Sequence, residues 1–257
     1  MITIDMLCYY SRLRYANAME KFTYSVLTLL FCVVSRSLAM ALLVLVVNGI
    51  LTVRKGGIPF YRYWRYMMIP LAFLIISTLA VIINISHTPL DAFAFQIGNY
   101  YLTGSYASLY KGVQMILTAL ASVSCLYFLS FNTPMTDILS VLKKIHCPDM
   151  LVELMLLIYR YIFLLLDISF SISTSQDSRL GNRDFKTSIK SFGAMVSVLL
   201  IRAMAKSGAL YDSMEARCYD GRLKVLDEQH PPKSKEIFSI VLFDGLLLIF
   251  TIWSKLR

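Results

Sequence analysis

The sequence predicts an all-α integral membrane protein with about five transmembrane helices and a cytoplasmic domain of amphipathic helices. Of its 257 residues, 57% are hydrophobic and 16% are charged, with a mean hydropathy of +0.63. A soluble domain is closer to half apolar and a quarter charged. Apolar runs of about 16–20 residues recur along the chain, which is the length that crosses a bilayer.

The first region, residues 1–131, contains about four spans. We place these at residues 18–35, 38–53, 67–85 and 108–131. A charge in the middle of a bilayer is costly, so Arg36 is expected at a turn between the first two spans. Residues 86–107 contain a single charge, Asp91, which places them on the outer side of the membrane.

Residues 53–67 connect the second span to the third and contain four basic residues among aromatic ones, without an acid. The four are Arg54, Lys55, Arg62 and Arg65. Gly56, Gly57 and Pro59 are expected to break the helix. The segment is either an elbow in the headgroup layer of the cytoplasmic side or an ordinary short loop.

The second region, residues 132–236, contains 14 of the 25 basic residues and is therefore expected in the cytoplasm. The third, residues 237–257, supplies a last transmembrane helix at 237–253. Lysine and arginine held on the cytoplasmic side also explain the net charge of +9, so no nucleic-acid partner is implied. These features predict a multi-pass protein of the cell membrane.

A nearly all-apolar helix is predicted over residues 150–171. It carries Glu153, Arg160 and Asp167 at seven-residue steps, which places them in one stripe on the helix surface. The helix either crosses the membrane with this stripe facing the bundle or lies along the membrane. The favoured interpretation is structural, with Arg160 neutralising the neighbouring acids.

Two short arginine segments follow in the same region. The first is Ser178-Arg179-Leu180-Gly181, where Gly181 is expected to end a helix. The second is Ala216-Arg217-Cys218, at the end of an amphipathic helix over 191–219 that Asp220-Gly221 can terminate. Alone, each arginine would be one of many solvated basic residues.

The sequence lacks the common motifs of nucleotide-binding, catalytic and metal sites. The sequence has no phosphate loop of the type GxxxxGK[ST], no GxSxG, no HExxH and no CxxC. We therefore expect a chain that is not an enzyme by itself and that has no metal site or cofactor of its own.

The run RAMAKSGALYDSMEARCYDG at residues 202–221 resembles the motif of the transmembrane T component of energy-coupling factor (ECF) transporters. Its form is similar to that of the CbiQ-like group, which is linked to cobalt and nickel uptake. Residues 132–167, NTPMTDILSVLKKIHCPDMLVELMLLIYRYIFLLLD, also resemble the central segment of that group.

The resemblance implies an assembly in the lipid bilayer. Two ATP-binding-cassette ATPases would lie beneath this chain, and a small membrane S component would bind the substrate. Two coupling helices, each with an Ala-Arg-Gly-like tip, would dock into grooves of the ATPases. By position, the tips are Ser178, Arg179 and Gly181, and Ala216, Arg217 and Cys218.

The first tip departs from the family pattern by Ser178 and by an additional residue, Leu180, before the glycine. The second has Cys218 in place of glycine. Two other functions remain open: a T component that serves vitamin uptake, or an autonomous membrane channel or enzyme built on the stripe of Glu153, Arg160 and Asp167.

Overall fold

A computed structural model describes residues 3–82, 84–86, 93–97, 100–104, 106–219, 231 and 234–256. The chain forms two compact units. One unit contains residues 2–138 and 228–257, and we call it the transmembrane unit. The other contains residues 139–227, and we call it the helix-pair unit.

The transmembrane unit contains most of the helices. They are α1 (Thr3–Tyr10), a 3-10 helix (Arg12–Tyr15), α2 (Ala18–Ser35), α3 (Leu38–Ile50), a π-helix (Leu51–Lys55), α4 (Phe60–Ile82), α5 (Tyr106–Asn132) and α9 (Ser234–Leu256). Helix α6 (Met135–Lys144) begins in this unit and ends in the other. The helix-pair unit continues with α7 (Asp149–Asp177) and α8 (Phe185–Glu215).

The predicted turn at Arg36 is confirmed. Asn17 caps the start of α2 by accepting a hydrogen bond from Met19 N at 2.9 Å. Helix α2 ends where Arg36 adopts a left-handed backbone with φ of 44°. Helix α3 then begins at Leu38, so the chain reverses within two residues and the arginine stays out of both spans.

The break between α3 and α4 is confirmed, but it is shorter than predicted. The π-helix extends α3 to Lys55, and Gly57 has φ of 74°, where a residue without Cβ is favoured. Helix α4 starts at Phe60, seven residues before the predicted span. Pro59 O accepts a hydrogen bond from Arg62 N at 2.9 Å, so a proline opens the first turn of the helix. The basic residues and the aromatic residues that follow it are helical.

The interior of the transmembrane unit lies among α2, α3 and α5. Met40, Val44 and Cys125 belong to one buried apolar cluster. Beside it, Tyr24 Oη donates to Asn48 Oδ1 at 2.8 Å, and Asn48 Nδ2 donates to Ser124 Oγ at 3.2 Å. These hydrogen bonds join three helices in the buried interior of the unit.

A small antiparallel sheet lies in the segment predicted on the outer side. Its strands are β1 (Asn84–Ser86), β2 (Phe93–Ile97) and β3 (Tyr100–Gly104), in the order β1-β3-β2. Asn84 pairs with Thr103, and Phe95 pairs with Leu102. The sequence pattern of residues 86–107 did not predict this sheet. Asp91 lies outside the described residues.

Six helices in the described part of the chain are long and apolar enough to cross a membrane. Five correspond to the predicted spans, so the prediction of a mainly helical, multi-pass membrane protein is confirmed. The sixth is α8, which we expected in the cytoplasm and which qualifies by length and composition.

Candidate functional site

The first arginine segment forms the C-terminal end of α7. Leu180 N donates to Asp177 O at 3.0 Å, and Gly181 N donates to Gln176 O at 2.7 Å. Leu180 is left-handed, with φ of 56°. This pair of bonds around a left-handed residue is the Schellman motif, which satisfies the last carbonyl groups of a helix.

The second arginine segment ends α8 in the same way. Cys218 N donates to Glu215 O at 2.9 Å, and Tyr219 N donates to Met214 O at 3.1 Å. Cys218 has φ of 57°. Helix α8 itself ends at Glu215, and Asp220 and Gly221, the predicted terminators, lie outside the described residues.

The two ends therefore correspond residue by residue, in a register that differs from the predicted one. Arg179 corresponds to Arg217, and Leu180 corresponds to Cys218. Leu180 is thus no additional residue: it occupies the left-handed position for which a glycine is favoured. Gly181 was expected to end the helix, and it closes the motif by its bond to Gln176 O, one residue after the left-handed position that Leu180 occupies.

Gly181 is required for a different reason. A Cβ atom at this position would lie 2.8 Å from Gln176 O and 3.0 Å from Ser191 Oγ. Gln176 Nε2 donates to Ser191 O at 2.8 Å, and Ser191 Oγ donates to Gly181 O at 2.8 Å. The first end is thereby fixed to the start of α8, and only glycine fits in this contact.

The side chains of both arginines are exposed. Neither guanidinium has a hydrogen bond or an ion pair with any residue that the structure describes. An exposed guanidinium without an internal partner keeps all five N–H donors for another molecule. Ser178 and Ala216, the preceding residues, are small and exposed as well.

Helices α7 and α8 form an antiparallel pair. Ser169 contacts Met195, Tyr161 Oη donates to Lys206 O at 3.3 Å, and Tyr219 Oη donates to Glu153 Oε2 at 3.0 Å. Each helix therefore ends beside the start of the other. Since α8 has 31 residues, Arg179 and Arg217 lie at opposite ends of the pair, about 45 Å apart along the helix axis.

The predicted charge stripe lies on one continuous helix, α7. Arg160 and Asp167 are exposed, and Glu153 is half-buried. A seven-residue step is a rise of about 10.5 Å, beyond the reach of an ion pair on one helix. Arg160 has no ion pair with any described residue, so the expected neutralisation of the acids by Arg160 is not seen.

Sequence reasoning missed Gln176, Ser191 and Tyr219, which fix the two ends to the helix pair. Polar residues next to a helix end are common, and no local pattern distinguishes these three. Their partners lie 15 and 66 residues away in the sequence, so only the folded pair identifies them.

Comparison with known proteins identifies a family for this chain. Residues 12–227 match the family model of the cobalt transport protein CbiQ. An uncharacterised protein of Methanocaldococcus jannaschii is 32% identical over 98% of this chain and 93% of its own length.

Two further relatives have functional names. The cobalt transport protein CbiQ of Salmonella typhimurium is 25% identical over 86% of this chain and 98% of its own length. The nickel permease LarQ of Lactiplantibacillus plantarum is 26% identical over 51% of this chain and 46% of its own length. The matched family is one of transport proteins and not of enzymes. The chain described here, a multi-pass helical membrane protein, belongs to the CbiQ family of cobalt transport proteins.

Proposed function

We propose that this chain is the T component of an ECF transporter. It transmits the ATP-driven motion of two ATPase subunits to a membrane S component that binds the substrate. The observation that carries the proposal is the repetition of one arginine-bearing helix end at the two opposite ends of one helix pair.

The separation of the two ends favours two ATPase subunits over one. Arg179 and Arg217 are about 45 Å apart along the pair, a distance comparable with the diameter of a whole domain. One small groove cannot receive both ends. Two copies of the same ATPase, each with one groove, would receive two alike ends, and their approach on binding ATP would move both helices together.

The chemistry of each end suits a docking contact. A guanidinium pairs with a carboxylate through two parallel hydrogen bonds, which fixes orientation as well as position. Ser178 and Ala216 are small, so the helix end can enter a groove without a bulky side chain at its rim. We place both ends, and with them the helix pair, on the cytoplasmic side.

The cargo follows from the family. Cobalt is named by the family model, and one relative is named as a nickel permease. We propose divalent cobalt or nickel as the transported substrate, bound by the S component and not by this chain.

Uptake of radioactive cobalt tests the proposal in cells that contain the whole transporter. Arg179→Glu and Arg217→Glu each place a negative charge where a groove acid is expected. Loss of a charged hydrogen-bonded contact corresponds to about a 10- to 100-fold weaker docking. Each single variant should lower uptake and the amount of ATPase that copurifies, and the double variant should abolish uptake.

The matched controls are Arg183→Glu and Arg202→Glu, which reverse exposed charges on the same unit outside the two ends. They should keep uptake near the level of the unchanged protein. Normal uptake in the double variant, or an equal loss in the controls, would contradict the assigned roles of Arg179 and Arg217.

A further inference from the structure

A cavity of about 490 Å³ lies inside the transmembrane unit. Its walls are mainly apolar side chains of α3, its π-helical extension and α9, among them Val47, Leu51, Ile240 and Phe243. Tyr24 of α2 and Phe128 of α5 also line it.

The cavity lies between the end of α3 and the start of α9, beside α2. Val44 of α3 and Leu247 of α9 belong to one buried cluster further along these helices, and α9 packs mainly against α2. Toward the end of α3 and the start of α9, Leu51 and Ile240 line the cavity instead. The space therefore lies near one surface of the bilayer, at the level where α3 ends.

The polar part of the lining is mainly basic. Four basic side chains line the cavity, Arg12, Lys21, Arg54 and Lys55, against two acids, Glu20 and Glu236. Arg12, Arg54 and Lys55 are exposed, and their charged groups have no hydrogen bond or ion pair with the residues described in the structure. Their donors remain available for an anion.

Lys21 adds charge without adding a donor. It is 5% exposed, and its Nζ lies 2.9 Å from Asn132 O, 3.1 Å from Leu13 O and 3.5 Å from Arg14 O. An ammonium group has three N–H donors, so these three carbonyl groups use them all. Its positive charge still favours an anion in the adjoining space.

We propose that this cavity binds an anionic phospholipid. The phosphate is held by Arg12, Arg54 and Lys55, and an acyl chain lies along Leu51, Val47 and Phe243. Apolar walls that continue from a basic rim fit a lipid better than free phosphate, which would leave those walls without a partner. Basic ends of membrane helices face the cytoplasm, so the lipid belongs to the cytoplasmic leaflet, which attracts basic groups when it is anionic.

Native mass spectrometry of the detergent-purified full chain tests this site. We expect tighter binding of phosphatidylglycerol than of phosphatidylcholine with the same acyl chains. R54Q/K55Q removes two rim charges and should weaken phosphatidylglycerol binding about 30-fold. R62Q/R65Q removes two exposed basic charges of α4 that do not line the cavity and should leave the binding unchanged.

Val47→Trp fills the apolar part without changing charge and should displace the lipid as well. The site is overturned if R54Q/K55Q and R62Q/R65Q weaken binding equally, if the two lipids bind alike, or if Val47→Trp folds and binds phosphatidylglycerol normally. Inorganic phosphate that competes with the lipid at equal affinity would identify a free-anion site and contradict the lipid proposal. If Val47→Trp does not fold, the comparison of R54Q/K55Q with R62Q/R65Q still tests the site.

Discussion

At the scale of single residues, Leu180 and Cys218 are the unusual feature of the two arginine ends. Both have φ near +56°, where the Cβ atom is crowded by the following carbonyl group. Each such residue costs about 1 kcal/mol relative to glycine. The family pattern Ala-Arg-Gly has glycine at this position, so the chain keeps the shape of the end at some cost in stability.

Leu180→Gly and Cys218→Gly should therefore each stabilise the protein by about 1 kcal/mol. Leu180 is 68% exposed, so little apolar burial is lost on its removal. The midpoint of thermal unfolding of the detergent-solubilised chain measures the effect.

Leu180→Ala is the matched control, because it shortens the side chain but keeps the Cβ atom in the left-handed position. It should give no increase in the unfolding midpoint. An increase as large as that of Leu180→Gly would show that removal of the leucine side chain is responsible and that backbone strain is not.

The arginines could be found from the sequence, whereas the register of the first end could not. Glycine is the usual left-handed residue at the end of a helix, so the sequence favours Gly181 for that position. The actual register depends on the contacts of Gln176 and Ser191 between two helices, and these contacts exist only after the helices have paired.

At the scale of helices, Asn48 joins α3 to α2 and α5. Asn48→Leu should lower the free energy of unfolding by about 1–2 kcal/mol, because the buried Tyr24 hydroxyl loses its acceptor. Tyr24→Phe removes that hydroxyl, so the double variant should cost less than the sum of the two single variants. Unfolding in mixed micelles measures all three.

The control is Thr118→Val, which removes a hydroxyl bonded to Gln114 O within α5 itself. It should change the unfolding free energy by less than Asn48→Leu. Full additivity of the Asn48 and Tyr24 variants would contradict a hydrogen bond that links the helices.

Helix ends were predictable where a costly charge interrupts an apolar run, as at Arg36. The start of α4 was not, because arginines among aromatic residues suit an interfacial elbow as well as a helix. Pro59 decides between them by opening a helical turn, and this requires its carbonyl contact with Arg62 N.

At the scale of the whole molecule, the position of α8 relative to the bilayer is the main point that composition leaves open. Its length and hydropathy would allow it to span a membrane, whereas the proposed function requires the helix pair to face the ATPases. A cysteine in place of Met204, in a background without Cys147 and Cys218, should react with a membrane-impermeant maleimide from the cytoplasmic side only.

A cysteine in place of Phe73 provides the comparison. Phe73 is 71% exposed on α4, a predicted span, so lipid should protect it from the reagent on both sides. Protection of residue 204 equal to that of residue 73 would show that α8 crosses the membrane and would contradict its cytoplasmic placement.

The central claim is that one chain engages two ATPase subunits through its two opposite ends. Photo-crosslinking amino acids at positions 180 and 218, next to the two arginines, test it most directly in membranes that contain the whole transporter. Each single probe should give an adduct with one ATPase subunit, and the double probe should give an adduct of one chain with two subunits. Adducts without an ATPase, or a double probe that stops at one subunit although both single probes react efficiently, would contradict the claim.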